Sequence, residues 1–242
     1  MKNHVNVTAL NHDRDDDMKR FIPLIFTITL MPLSLVCHAE ETTTIELKKE
    51  IRDIALGMHV TELPAGRYKD FTCVDPDKAL ETLNDFEECP VDNLNLYEVR
   101  LKYDTSDNEW EAVNDRFKGT RISGHPVILS ILVDNKGAIQ GIRAYTDPDA
   151  SPFTKKQAYL LSDNIKRHYG NTDWKCVEKP PGESGNKPIS SIYIDRMCNK
   201  IIDGKRIRIG AKVYRALNQK GKEYTNSSTF EIISLMALSN AS

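Results

Sequence analysis

Cys73, Cys89, Cys176 and Cys198 are spaced for disulfides rather than for a metal, because no two of them have the C-x-x-C separation of a zinc site. A fifth cysteine, Cys37, falls in an N-terminal leader, so an even number remains for a disulfide framework. Three pairings are open, and the local one, Cys73–Cys89 with Cys176–Cys198, is the expectation. Each bridge would close a loop for which chain entropy gives about 3 kcal/mol. His59, His125 and His168 lie at no i, i+3 or i+4 spacing from one another or from a cysteine, so neither a metal nor a cofactor is expected. The chain has no G-x-S-x-G elbow, H-E-x-x-H pair, P-loop or dinucleotide fingerprint. With four bridged cysteines no thiol nucleophile is left, and no catalytic residue is assigned. Carboxylates are numerous, so a periplasmic hydrolase with a site of scattered Asp, Glu and His stands as an alternative. A small-ligand or metal carrier is another.

The most suggestive surface follows Gly204. Strand alternation places Arg206, Arg208, Lys212 and Tyr214 on one face, and Ile207, Ile209, Ala211 and Val213 on the other. With Lys200 nearby, that basic face could dock an acidic partner. A solvated outer sheet face is the plainer reading of the same residues.

The elements that position these residues follow from hydrophobic periodicity. Residues 125–133 are apolar almost throughout, and after Asp134-Asn135-Lys136-Gly137 a second run carries Ile139 and Ile142. This is a β-hairpin with its first arm near the middle of a sheet. Pro126 can sit only at that strand's start, having no N–H for the ladder. Strands are also expected at 68–73, at 97–103 with a charged outer face, from 174, and at 191–198, 205–217 and 229–238. Helices are expected at 45–58, with a strand at 51–56 as competitor, at 75–88 behind an Asp75-Pro76 start, and at 152–168, stopped by Gly170. Residues 104–124 read as a solvated loop, since their carboxylates lack the calcium-loop pattern. The fold class expected is α+β: a mainly antiparallel sheet with helices packed on one side and two disulfides.

The N-terminus reads as a targeting segment. Met18-Lys19-Arg20 is a basic start, 21–36 is apolar but broken by Pro23 and Pro32, and Cys37-His38-Ala39 fits a signal-peptidase site. The acidic cluster Asp15-Asp16-Asp17 has the wrong charge for such a start, so Met18 is read as the true one. Ser34 and Val36 do not make a lipobox, and no lipid anchor is expected at Cys37. The domain reading is therefore 1–39 as upstream extension and cleaved signal, 40–147 as an N-terminal α+β half, and 148–242 as a C-terminal helix and β-meander half. A formal net charge of −2 gives no argument for nucleic acid. No membrane span is expected after cleavage, and the expected location is the periplasm.

Leu56-Gly57-Met58, followed by Val60-Thr61-Glu62-Leu63, resembles the L-G-M-x-x-x-E-V/L opening of the small outer-membrane assembly lipoproteins of the SmpA/OmlA (BamE-like) type. The resemblance implies a domain like the β-lactamase-inhibitor fold, with helices on an antiparallel sheet, that acts by binding other proteins. The function expected is a non-catalytic binding or assembly accessory whose partner is another periplasmic or envelope protein.

Overall fold

The hairpin of β6 (His125–Val133) and β7 (Ile139–Thr146) lies at the centre of the sheet. Asp134 builds its turn: Oδ1 accepts from the backbone N–H groups of Lys136 and Ala138 at 2.8 and 3.0 Å, and Gly137 takes a φ of 78°. The structure, a computed structural model, describes residues 49–104, 120–155, 158–182 and 185–239. The expected leader with Cys37, and most of the expected loop at 104–124, lie outside these residues.

Outward from β6, the sheet continues through β4 (Tyr97–Tyr103) to β3 (Tyr68–Cys73), while the short β5 (Thr120–Ile122) pairs with the start of β6. Outward from β7 come β11 (Thr225–Ser234), β10 (Lys205–Tyr214), β9 (Ile194–Ile202) and β8 (Lys175–Glu178). The order is β3-β4-β6-β7-β11-β10-β9-β8, nine strands with β5, and every pairing is antiparallel. Through the β7–β11 pairing, one sheet runs across the boundary at 147/148. A separate hairpin joins β1 (Lys49–Ile51) to β2 (Ile54–Ala55).

The α+β expectation is therefore corrected to a sheet-dominated fold. The expected helix at 45–58 is, where described, the β1–β2 hairpin, with Arg52 at φ 51° in its turn and Gly57 at φ 86° after it. Ile51 and Ile54 are buried either way, because a three-residue spacing serves a tight hairpin as well as a helix. The expected helix at 75–88 shrinks to a 3-10 segment at Leu83–Glu88. Its earlier residues cover the sheet edge instead: Cys73 N–H donates to Lys78 O, and Leu80 N–H to Phe71 O. The expected helix at 152–168 is divided into α1 (Pro152–Lys155) and α2 (Leu160–His168). The last strand ends at Ser234 and turns into α3 (Leu235–Ser239). The three α-helices described have 4, 9 and 5 residues, too few to form a helical layer.

One face of the sheet is the core. Cys73, Val99, Ile131, Ile142, Ile232, Ile207 and Lys200 lie side by side across it, and Leu101, Leu129, Ala144, Phe230, Ile209 and Cys198 form the next row. Leu161 and Ile165, one turn apart on α2, pack on this face together with Tyr169, Ile54 and Phe86. Lys166, Arg167 and His168 occupy the last turn of α2, where cations suit the helix dipole.

The cysteines pair as Cys73–Cys89 and Cys176–Cys198. The first brings both ends of the edge-covering segment together. The second joins directly opposed residues of β8 and β9. Such bridges belong to oxidising compartments. Among the described residues, no helix is long and apolar enough to cross a membrane.

Candidate interaction face

The other face of the sheet carries the charge. Because side chains alternate, the antiparallel register lines up one residue from each strand: Thr72, Arg100, Ser130, Arg143, Glu231, Arg208, Asn199 and Lys175. The result is a polar row from β3 to β8. Arg143 is its hub. Its Nη1 meets Glu98 at 2.5 Å and Asp92 at 3.6 Å, and its Nε donates to Glu231 at 2.9 Å. Burial opposes the charge on Arg143, but Glu98 and Glu231 outweigh it and raise the guanidinium pKa. Glu98 also accepts from the Ser130 hydroxyl at 2.6 Å.

Arg206 donates to Glu231 at 3.1 Å. It is thus absorbed into the network, whereas Arg208 stands 3.8 Å from Glu231 and is 45 % exposed. Lys212 and Tyr214 share this face, with Lys212 opposite Asp195 and the Tyr214 ring stacked on Tyr193 at 5.9 Å. Burial, then Asp195, raises the Tyr214 pKa, so the phenol stays protonated.

Lys200 does not belong to this surface. It lies opposite Ile207 on the core face, where its Nζ donates to the carbonyls of Tyr169 at 2.6 Å and Gly170 at 3.2 Å, capping the end of α2. Strand parity across the β9–β10 turn puts it on the face opposite to that of Arg206 and Arg208. Arg143, Glu98 and Glu231 were not singled out from the sequence. The available signal was a single charge among the apolar residues of β7 and of the second half of β11, and the alternating charges of β4.

Beside the polar row runs a mixed one: Ile128, Tyr145, Thr229, Gly210, Met197 and Val177. Tyr145 is 41 % and Val177 65 % exposed. Gly210 is required here, since a Cβ would lie 2.5 Å from Thr229 Oγ1 and 3.1 Å from Met197 Cε. On the opposite side of the polar row, Leu132 and Ile233 are covered by Leu96 and by Ala237 of α3. Among the described residues, the outer face is therefore closed at one end and open at the other, with Arg208, Lys175 and Lys212 around an apolar strip.

The histidines sit apart. His59 packs its ring against Gly137 and bonds Thr61 through Nδ1 at 2.7 Å; His168 stacks edge-on against Tyr169. His125 is 4 % exposed, and its Nε2 lies 3.2 Å from Thr146 Oγ1. Among the described residues no group of three His, Cys, Asp or Glu side chains could hold a metal.

Burial lowers the His125 pKa from 6.5 to about 4. The unfolded chain therefore takes up a proton near pH 6.5 that the folded one refuses until about pH 4. The stabilisation is complete above pH 6.5 and is lost as pH falls toward 4, at about 1.4 kcal/mol per pH unit. Urea unfolding between pH 7 and 5 should show this slope, and His125→Gln should flatten it. Equal slopes in both proteins would refute the assignment.

The segment that carries the L-G-M resemblance lies on the central hairpin. Gly57 N–H donates to Ile139 O, Ile139 N–H to Met58 O, and Val60 N–H to Gly137 O. Glu62 folds back to accept from the backbone N–H of His59 at 3.4 Å. No protein-family model, curated protein or solved structure matches the chain.

Proposed function

We propose that this protein is an exported, non-catalytic accessory that binds another protein of the periplasm or envelope, and that the partner docks on the open end of the outer sheet face. The observation that carries the reading is the juxtaposition of Arg208, Lys175 and Lys212 with Tyr145, Met197 and Val177 on one face, which no other described element covers. Interfaces favour an aromatic or methionine core with arginine beside it, and the cations select an acidic partner surface. The leader at 18–39, the disulfides and the resemblance to the assembly lipoproteins support an envelope location.

Photo-crosslinkers placed at Tyr145, Val177 or Lys212 in the native host should each give the same dominant adduct, and one at Arg167 on α2 should not. Charge reversal by Arg208→Glu with Lys212→Glu should cut the yield about tenfold while leaving stability within about 0.5 kcal/mol. Absence of any adduct, or equal adducts from Arg167, would overturn the reading.

A further inference from the structure

The two bridges stand in different surroundings. Cys73 and Cys89 are both buried in the core. Cys198 is buried as well, but its partner Cys176 is exposed, on a strand whose four residues are all exposed. β8 is also the last strand of the sheet and pairs with β9 alone. The Lys179 N–H donates to Asp195 O at 2.9 Å, and hydrogen-bonded pairs alternate with unbonded ones along an antiparallel ladder. Cys176 and Cys198, opposite each other in that register, therefore form an unbonded pair. The bridge can open without breaking a ladder hydrogen bond.

A cation faces the exposed cysteine. Lys166 Nζ, on α2, donates to Cys176 Sγ at 3.6 Å. The carboxylates around it, Asp163 and Glu178, both turn to Arg196, at 3.5 and 3.8 Å. Disulfide exchange begins when a thiolate attacks an accessible sulfur, and an ammonium beside that sulfur draws the anion in. The same ammonium stabilises Cys176 as a thiolate once the bridge is open. Exposed bridges are the labile ones, whereas buried ones resist reduction.

We propose that Cys176–Cys198 is a thiol-exchange site, opened by a dithiol protein that attacks Cys176 Sγ beside Lys166, while Cys73–Cys89 stays closed. A thiolate of the dithiol bonds to Cys176 Sγ as the Cys176–Cys198 bond breaks, and the electron pair leaves on Cys198 Sγ. That sulfur takes a proton from solvent. The second thiol of the dithiol, as its thiolate, then attacks the mixed disulfide and releases Cys176 as a thiolate beside Lys166. Two electrons pass to the chain, and the dithiol leaves as a disulfide. β8 is then tied to the sheet by its ladder alone. The strand carries Lys175 and Val177 of the outer face, but the exchange does not depend on what docks there.

The test is a timed incubation of the oxidised, folded protein with dithiothreitol, quenched in acid, alkylated and read by peptide mass spectrometry. Cys176 and Cys198 should become alkylated about tenfold faster than Cys73 and Cys89, or faster still, while circular dichroism shows the chain still folded. A brief pulse of glutathione should leave its adduct on Cys176 and not on Cys198. Lys166→Glu should slow the opening about tenfold, whereas Arg167→Glu, one residue along α2, should leave it within about twofold. Melting curves establish that both variants are folded before rates are compared. Equal rates for the two bridges, opening only at urea concentrations that unfold the chain, an adduct on Cys198, or indifference to Lys166→Glu would each overturn the proposal. Crosslinking at Tyr145 or Lys212 is read on the oxidised protein, so the two readings fail independently.

Discussion

Replacing Glu50 with alanine is expected to destabilise the fold by about 3–5 kcal/mol, the usual result of breaking a buried ion pair from one side. The Glu50 side chain is fully buried on β1. Lys205 at the start of β10 pairs with one of its oxygens, and the Tyr169 hydroxyl donates to the other at 2.6 Å. Burial and this hydrogen bond push the Tyr169 pKa upward, so the phenol remains a donor throughout the physiological range. The contact ties together three elements far apart in sequence: the first hairpin, the end of α2 and the C-terminal meander. Alanine would leave a lysine and a phenol facing a cavity.

The double variant Glu50→Leu with Lys205→Met should recover most of the loss, because apolar replacement of both charges removes the desolvation cost along with the attraction. Urea midpoints for the two singles and the double close the cycle. A loss below about 1 kcal/mol for Glu50→Ala would show that the pair contributes no more than an exposed one.

Removing the Cys73–Cys89 bridge is expected to cost about 3 kcal/mol. The two cysteines are 16 positions apart in sequence, and the closed segment is the one that shields β3. Thr72 and Ala79 bridge along that edge, while Leu80, Leu83 and Phe86 reach the core. The loss should therefore combine a less constrained unfolded chain with a loosened edge. Cys73→Ser with Cys89→Ser, followed by urea unfolding and amide exchange, tests both parts. Faster exchange at the Cys73 and Leu80 amides with a lowered midpoint is expected, and an unchanged midpoint would refute it. An uncovered edge strand also invites pairing with other chains.

The strands were readable because their signals are local. β4 stands where alternation puts it, β6 where an unbroken apolar run does, and β10 begins at the Asp203-Gly204 turn. The helices were harder. Apolar residues at 51, 54 and 58 satisfy a helical stripe, and nothing local says that Arg52 will take a positive φ and reverse the chain. At 75–88 the acidic start with proline suggested a helix cap, but Thr82 and Asp85 begin the 3-10 segment: the Asp85 carboxylate accepts from the Thr82 N–H at 2.8 Å. The bridge to Cys89 and the sheet edge had taken up the residues before it.

By itself the sequence determined which residues alternate, which cysteines are near neighbours, and that Arg208, Lys212 and Tyr214 share a face, because each of these depends on separations of a few residues. Only the tertiary structure decided that Lys200 caps α2 from the core side, that Arg143 and Glu231 meet across 88 residues, and that Lys166 of α2 faces Cys176 of β8. The reason is register. A one-residue shift between distant strands moves every side chain to the opposite face, and burial of the Val99–Ile207 row selects one alignment from many.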